Sequence, residues 1–450
     1  MLRHPLVAVL SLALAITCRS QDPAPPAASK QKPPNIVLIV ADDLGYGELG
    51  CYGGTDVPTP HIDSLATHGM RAISGYVTCP VCAPTRAALL TGRYGQRFGF
   101  EFNAGNAQQA PANFGLPKDQ PMLAERLVVA GYATGMVGKW HLGYREGLRP
   151  TERGFQEFFG FLAGAHGYRP TAAAAAKPED VDPTAAPNPI LRGTTPVAEP
   201  QWLTVAFARE AVAFVDKHQK EPFFLYVPFN AVHAPLAAPV ARIAGFTTLE
   251  GKRKTFAGML LGLDEAVGAI LDKLDACGLQ DNTLVVFLSD NGGPTPSTTS
   301  GNGPLRGRKG QVWEGGVRVP MLVRWPGKVP AGSLCEAPIA TIDLAATMLA
   351  AAGVKAEGLD GVHLLPFLSG ASKAPPRDEL CWRFGKQRAI RQGKWKLVTI
   401  DGAAPQLFDL DQDVGEAKDL ATAEPEAVQT LQAAWQAWDA QNQASAWPSR

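Results

Sequence analysis

The chain has 450 residues, 46% of them hydrophobic, and its 42 Lys and Arg balance 42 Asp and Glu to a formal net charge of zero. That length and apolar fraction suit one large globular domain with room for a small appendage. Charge neutrality argues against nucleic acid as a partner and against a polybasic membrane patch.

Residues 1–20 read as an export signal, with Arg3 and His4 before a short apolar core running from Leu6 to Ile16. The core is too short to stay in a bilayer as a spanning helix. Within it, Leu14-Ala15-Ile16-Thr17-Cys18 resembles a bacterial lipoprotein cleavage site with Cys18 as the lipidated residue, although Thr17 departs from the usual Gly, Ala or Ser. The expected location is outside the cytoplasm: periplasmic, secreted or lipid-anchored at the cell surface. Residues 21–34, rich in Pro, Ala and Gln, read as a disordered tether.

The apolar run 35–40 predicts a strand buried on both faces of a parallel sheet. Asp42 and Asp43 follow at its C-terminal end, where open α/β sheets place ligands. Taken alone they would pass for solvated loop acids. A helix is expected over 59–70, with His61 and His68 on its surface and without a role. Next comes Cys82-Ala83-Pro84-Thr85-Arg86, continuing Ala87 to Leu90 and then Thr91-Gly92-Arg93. Pro84 suits a first helical position and the alanines and leucines favour helix, so Cys82 falls at or just before a helix N-terminus. There the dipole and free amides favour an anion, and Arg86 one turn on adds a fixed positive charge. Cys79 and Cys82 also form a Cys-x-x-Cys spacing. Read by itself it leaves open a redox pair, or half of a zinc site whose second Cys pair is missing.

Residues 94–118 read as loop and 122–129 as helix. A short strand over 132–137 leads into Lys139-Trp140-His141; in extended chain Lys139 and His141 share a face. Loops and an alanine run fill 160–200, with His166 and Arg169 in a loop at the mouth of the site. A helix over 202–217 precedes a strand over 223–227 that ends near His233. A long amphipathic helix follows, carrying Leu260, Leu263, Val267, Ile270, Leu271 and Leu274 on one face. The strand 283–288 then ends at Asp290-Asn291. Four apolar strands separated by helices thus end in Asp-Asp, Lys-x-His, His and Asp-Asn. A doubly wound parallel sheet would bring all of these to one edge.

A glycine-rich loop over 301–320 carries Lys309. A helix is expected over 339–352, a Pro-rich hinge over 371–377, then a hairpin of 388–391 with 395–398, a strand over 407–410 and a helix over 424–439. His363 is expected in a loop with a structural role. The domain division expected is 35–375 for the main domain and 376–450 for a small C-terminal α+β subdomain. Cys51, Cys79, Cys277, Cys335 and Cys381 are an odd set with no pairing assignable from sequence.

The pattern Cys-x-Pro-x-Arg followed by Leu-Thr-Gly-Arg resembles the sulfatase signature, and Gly138-Lys139-Trp140-His141-Leu142-Gly143 and the Lys309 loop resemble further sulfatase segments. The loop with His166, Tyr168 and Arg169 more loosely resembles that of carbohydrate sulfatases, N-acetylgalactosamine-6-sulfatases among them. The resemblance implies an alkaline-phosphatase-like α/β fold with a doubly wound, mostly parallel central sheet flanked by helices, and a small C-terminal antiparallel sheet plus helix. It implies that Cys82 is oxidised to formylglycine by a maturation enzyme, the hydrated aldehyde being the nucleophile. The all-oxygen set Asp42, Asp43, Asp290 and Asn291 suits a hard cation, and the crowded geometry suits Ca²⁺ better than Mg²⁺. The resemblance also implies Ca²⁺, with position 82 as a further ligand. Arg86, Lys139 and Lys309 would offset charge on the sulfuryl group, His233 would protonate the leaving oxygen, and His141 would take the remaining proton. His166 and Arg169 would contact a sulfated small molecule or glycan. Two alternatives stand beside this reading: a phosphate or phosphonate ester hydrolase on the same fold, and a non-catalytic relative that binds sulfated glycans.

Overall fold

The apolar runs read as strands form the middle of a ten-stranded sheet. The computed structural model describes residues 1–2, 32–103, 111, 113–169, 188–355 and 357–447. Nearly all of the expected export signal and tether lies outside the described residues. From one edge the sheet order is Ser333–Cys335, Met70–Ala72, Met321–Arg324, Thr283–Ser289, Asn35–Ala41, Phe223–Pro228, Ala133–Lys139, Glu157–Phe161, Leu191–Arg192 and Thr195–Pro196. The strand Asn35–Ala41 pairs in parallel with both neighbours, and Ala133–Lys139 pairs in parallel with Phe223–Pro228 and Glu157–Phe161. Met321–Arg324 runs antiparallel to Thr283–Ser289, so the sheet is mixed but mostly parallel at its centre.

Alternation along the central strand explains why both faces are covered. Ile36, Leu38 and Val40 face one core with Ala83, Ala87, Leu90 and Met348, while Val37 and Ile39 face the other with Phe207, Phe256 and Leu263. The helices Cys82–Thr91 and Thr341–Ala351 therefore lie on one side, and Leu203–His218 and Gly251–Ala276 on the other. Among the described residues no helix is long and apolar enough to cross a membrane.

Several expected boundaries move. The helix expected over 59–70 spans Pro60–Thr67, because Met70 already belongs to a strand, paired with Val323 on one side and Ser333 on the other. The next helix begins at Cys82 itself, so Pro84 is its third residue and not its first. Pro84 is tolerated there because first-turn amides lack intrahelical partners. His61 and His68 are exposed, and His363 is exposed in a loop. The six described cysteines are all free, Cys79 and Cys82 included.

The C-terminal sheet has four antiparallel strands, Glu379–Phe384, Gln387–Gln392, Trp395–Thr399 and Gln406–Asp409, with the helix Pro425–Asp439. Its first strand had no distinct signal in the sequence reading. The sheet is tied to the Lys309 loop by a buried ionic cluster. Lys396 Nζ lies 2.8 Å from Glu314 Oε1 and 2.9 Å from Glu416 Oε1, all three side chains being 0% exposed. Glu314 Oε2 accepts from Tyr76 Oη at 2.7 Å and from Arg318 at 3.2 Å. Burial opposes ionisation of Glu314, but Lys396, Arg318 and Arg391 reverse this and hold its carboxyl down at about 2. Glu416 is pushed up to about 7 by burial and by Glu314, with Lys396 opposing. Lys396→Met removes the cation that Glu314 and Glu416 share, leaving Arg318 on Glu314, and removing one partner of a buried pair costs about 3–5 kcal/mol. We expect thermal denaturation to show that loss at pH 8 and a smaller one at pH 5. The sign follows from Glu416, whose raised value means that protonation below 7 relieves the uncompensated charge. Equal melting temperatures for parent and variant at pH 8 would contradict the role given to Lys396.

Candidate active site

The central strand delivers Asp42 and Asp43 just past its last residue, Ala41. Asp42 is pinned to the neighbouring strand end by two backbone bonds, its N–H donating to Ala231 O at 2.9 Å and its carbonyl accepting from Val232 N at 2.8 Å. Asp43 turns away with φ +65°, a conformation few non-glycine residues adopt but one that Asp tolerates better than most. Its carbonyl accepts from Ser300 Oγ at 2.8 Å, and the next two amides donate to Ser289 Oγ and Ser300 Oγ. On the other flank, Asp290 N donates to Ala41 O at 3.1 Å, which brings Asp290 Oδ1 to 3.3 Å from Asp43 N. Three carboxylates from two adjacent parallel strands therefore meet at one edge.

Cations compensate them. Lys139 Nζ, at the end of its strand, lies 2.7 Å from Asp42 Oδ2, and both side chains are 0% exposed. Arg86 donates from Nε and Nη2 to Asp290 Oδ2 at 2.9 and 2.7 Å, and from Nη1 to the Lys139 carbonyl at 3.0 Å. Lys309 Nζ reaches Asp43 Oδ1 at 2.6 Å and Cys82 Sγ at 3.3 Å. Burial favours neutral Asp42 and Asp43, but Lys139, His233 and Arg86 around the first and Lys309 and His233 around the second hold both below the usual carboxylate range. Cys82 Sγ is 3.5 Å from Asp42 Oδ1. Burial pushes its thiol up to about 12 although Lys139 and Lys309 oppose the shift. Ala83 N at the same helix end donates to Asn103 Oδ1 at 3.0 Å.

The histidines differ from one another. His233 Nδ1 donates to Ala234 O at 2.5 Å, and Nε2 lies 3.6 Å from Asp43 Oδ2. His141 has φ +60°, so the extended-chain reason for placing it beside Lys139 does not hold. The chain leaves the strand at Lys139 and turns, and His141 N bonds to Leu162 O at 3.0 Å. Burial, with Lys139, Arg86 and Lys309, drives His141 well below the ordinary histidine range, so its imidazole is neutral at pH 7. Its buried Nδ1 has no hydrogen-bond partner among the described residues.

His166 and Arg169 lie on the loop that follows the strand Glu157–Phe161. His166 is 2% exposed, its Nδ1 donating to Gly167 O at 2.8 Å and its ring 5.0 Å from Phe161. Its carbonyl accepts from Asn230 Nδ2 at 3.2 Å. Arg169 is exposed at the end of the same loop. Sequence reasoning gave no structural part to Tyr168, Ser289, Ser300 or Asn103. Tyr168 Oη lies 2.5 Å from Asn230 O and 2.7 Å from His233 O, holding the His233 turn. Ordinary hydroxyl and amide residues in loops carry no sequence signal for such roles.

The residues suit a hard cation. Asn291 Nδ2 donates to Asp43 Oδ1 at 2.7 Å and to Gly292 O at 3.1 Å, which fixes the amide and leaves its buried Oδ1 without a partner among the described residues. Together with the carboxylates of Asp42, Asp43 and Asp290 it makes up an all-oxygen donor set of the kind a hard cation prefers. Asp42, Asp43, Cys82 and His233 each offer a ligand atom within 4.8 Å of the others.

A mostly parallel sheet that gathers acids, lysines and histidines at one edge beside a helix N-terminus defines the alkaline-phosphatase-like class of enzymes. The chain belongs to the sulfatase family, whose model matches residues 34–354. A second match, described as N-sulphoglucosamine sulphohydrolase, C-terminal, covers residues 308–440. The chain is 37% identical to arylsulfatase A of Homo sapiens over 454 residues, spanning 89% of this chain and 86% of the relative. It is 35% identical over 395 residues to N-acetylgalactosamine-6-sulfatase of Canis lupus familiaris, spanning 82% and 72%. Among solved structures it resembles Ps i-CgsB in complex with k-i-k-neocarrahexaose, with a TM-score of 0.86, 37% identity and coverage of 92% and 95%.

Proposed function

We propose that this sulfatase removes sulfate from a sulfated carbohydrate, with Cys82 converted to formylglycine and Ca²⁺ held by Asp42, Asp43, Asp290, Asn291 and residue 82. The observation that carries the reading is the meeting of Cys82, Asp42, Asp43 and His233 within 4.8 Å, with Lys309 3.3 Å from Cys82 Sγ. When bound, the cation would supply Lewis-acid polarisation and the formylglycine hydrate a nucleophilic hydroxyl. Lys139, Lys309 and Arg86 keep fixed positive charge where the sulfuryl oxygens gain charge. His233 has Nδ1–H anchored on Ala234 O, so in the imidazolium form it is Nε2–H that gives its proton to the leaving alcohol, returning the ring to the neutral Nδ1–H tautomer. Neutral His141 is in the right state to accept a proton. Arg169 meets the sugar from the exposed end of its loop, and His166 acts behind it through Asn230. The carbohydrate class is supported by the similarity to an N-acetylgalactosamine-6-sulfatase and to a structure bound to a neocarrahexaose. Export through residues 1–20 and a maturation enzyme acting on Cys82 belong to the same reading.

His233→Ala tests it. General acid catalysis is worth about 10²–10⁴-fold, and a sugar alcohol needs the proton far more than a nitrophenolate does. We expect turnover of defined sugar sulfates to fall by that factor while p-nitrophenyl sulfate is much less affected. Equal losses on both would remove His233 from the acid role, and an aryl phosphate preferred over the aryl sulfate would overturn the substrate class.

A further inference from the structure

The end of the described chain runs back to the segment beside the Cys82 helix. Gln443 N donates to Gln96 O and Ala446 N to Gly99 O, both at 2.9 Å. Gly99 has φ +75°, and a Cβ there would sit 2.8 Å from Ala444 O, so a side chain would force the tail away. Trp447 is 4% exposed, and its Nε1–H donates to Phe102 O at 2.9 Å, next to the Asn103 that caps the helix. The indole lies edge-on to Phe100 at 4.9 Å and to Phe114 at 5.1 Å. Phe114 in turn lies 6.2 Å from the imidazole of His141. A Cβ on Gly164 would come within 2.5 Å of Nε2 of the same imidazole. His141 Nδ1 makes no hydrogen bond among the described residues, so side-chain packing orients the ring.

We propose that Trp447 is a positioning residue for catalysis: the C-terminal tail fixes Phe114, and Phe114 fixes the imidazole of His141. A residue near the end of the chain thereby governs a group at the end of a central strand more than 300 positions earlier, as the 345-residue separation of the Trp447–Phe102 bond illustrates. The inference rests on His141 acting in the reaction.

The test is a double-mutant cycle in the full-length matured enzyme on p-nitrophenyl sulfate, with histidine ¹⁵N NMR as a readout independent of turnover. Displacing a reacting group by a fraction of its size costs up to about 10²-fold, and His141 acts after the alcohol has left, so Trp447→Ala should lower kcat by about 10- to 100-fold while kcat/KM changes much less. Trp447→Phe keeps the ring against Phe114 and should retain most activity. In a His141→Ala background, Trp447→Ala should add little further loss, since coupled residues are not additive. The His141 imidazole signals should shift in Trp447→Ala while those of exposed His61 and His68 stay in place. If Trp447→Ala does not fold, Phe114→Leu carries the same expectations with the tail's backbone bonds kept. Failure of both to fold would assign the tail to stability alone and overturn the proposal. So would unchanged kcat, an equal loss in both backgrounds, or unmoved His141 signals. Full activity in His141→Ala alone would instead sink the role given to His141, a separate outcome.

Discussion

Cys82→Ala is expected to abolish sulfate-ester turnover, by at least about 10⁴-fold, while the protein stays folded; removal of a nucleophile has effects of that order and larger. Cys82 is 1% exposed, and its sulfur lies against Lys309 Nζ and Asp42 Oδ1, so the structural loss is that of one small buried atom. The chemical loss is complete. An unmodified thiol pushed up by burial to about 12 stays protonated at pH 7, a poor nucleophile as it stands. That state fits a side chain whose reactivity depends on conversion. Mass spectrometry of the peptide containing residue 82 should show an aldehyde or its hydrate in active preparations. An active preparation with the thiol intact throughout would refute the formylglycine reading, and a Cys82→Ala variant with parental turnover would remove residue 82 from the chemistry.

Asp290→Ala has the second largest expected effect, and it acts on stability and metal content together. Asp290 Oδ2 receives two bonds from Arg86, and both side chains are 0% exposed. Alanine leaves a buried guanidinium facing Asp42 at 3.7 Å as its nearest remaining carboxylate. Breaking a buried pair on one side costs about 3–5 kcal/mol, enough to move the melting temperature of a domain by many degrees. In the Ca²⁺ site proposed above, the same change would take one hard oxygen ligand and one negative charge, so bound Ca²⁺, measured by elemental analysis after dialysis, should fall well below one per chain. Asp290→Asn keeps the shape and removes the charge, and it should lose metal with a smaller stability loss. Parental melting temperature and parental Ca²⁺ in Asp290→Ala would refute both parts of the argument.

The strands were legible because each is a short run of Val, Ile, Leu or Phe whose side chains must be buried on both faces, and local composition records that requirement directly. Asn35–Ala41, Phe223–Pro228 and Thr283–Ser289 were found within a residue or two for that reason. Acids, lysines and histidines immediately after such runs were legible as a convergent set, since parallel strands share one C-terminal edge. The C-terminal strand Glu379–Phe384 was not, because Arg383 and Glu379 break its apolar pattern while Arg383 pairs with Glu101 far away.

Other features depend on contacts that no local pattern encodes. Lys309 meets Asp43 across 266 positions and Arg86 meets Asp290 across 204. His141 sits near the cluster through a left-handed turn instead of an extended strand, and its ring is steadied by Phe114 and, behind that, Trp447. The residue types at the site thus follow from burial and charge along the chain. Their orientation follows from packing between segments far apart in sequence, because a side chain's rotamer and environment are set by whatever neighbour fills the space beside it.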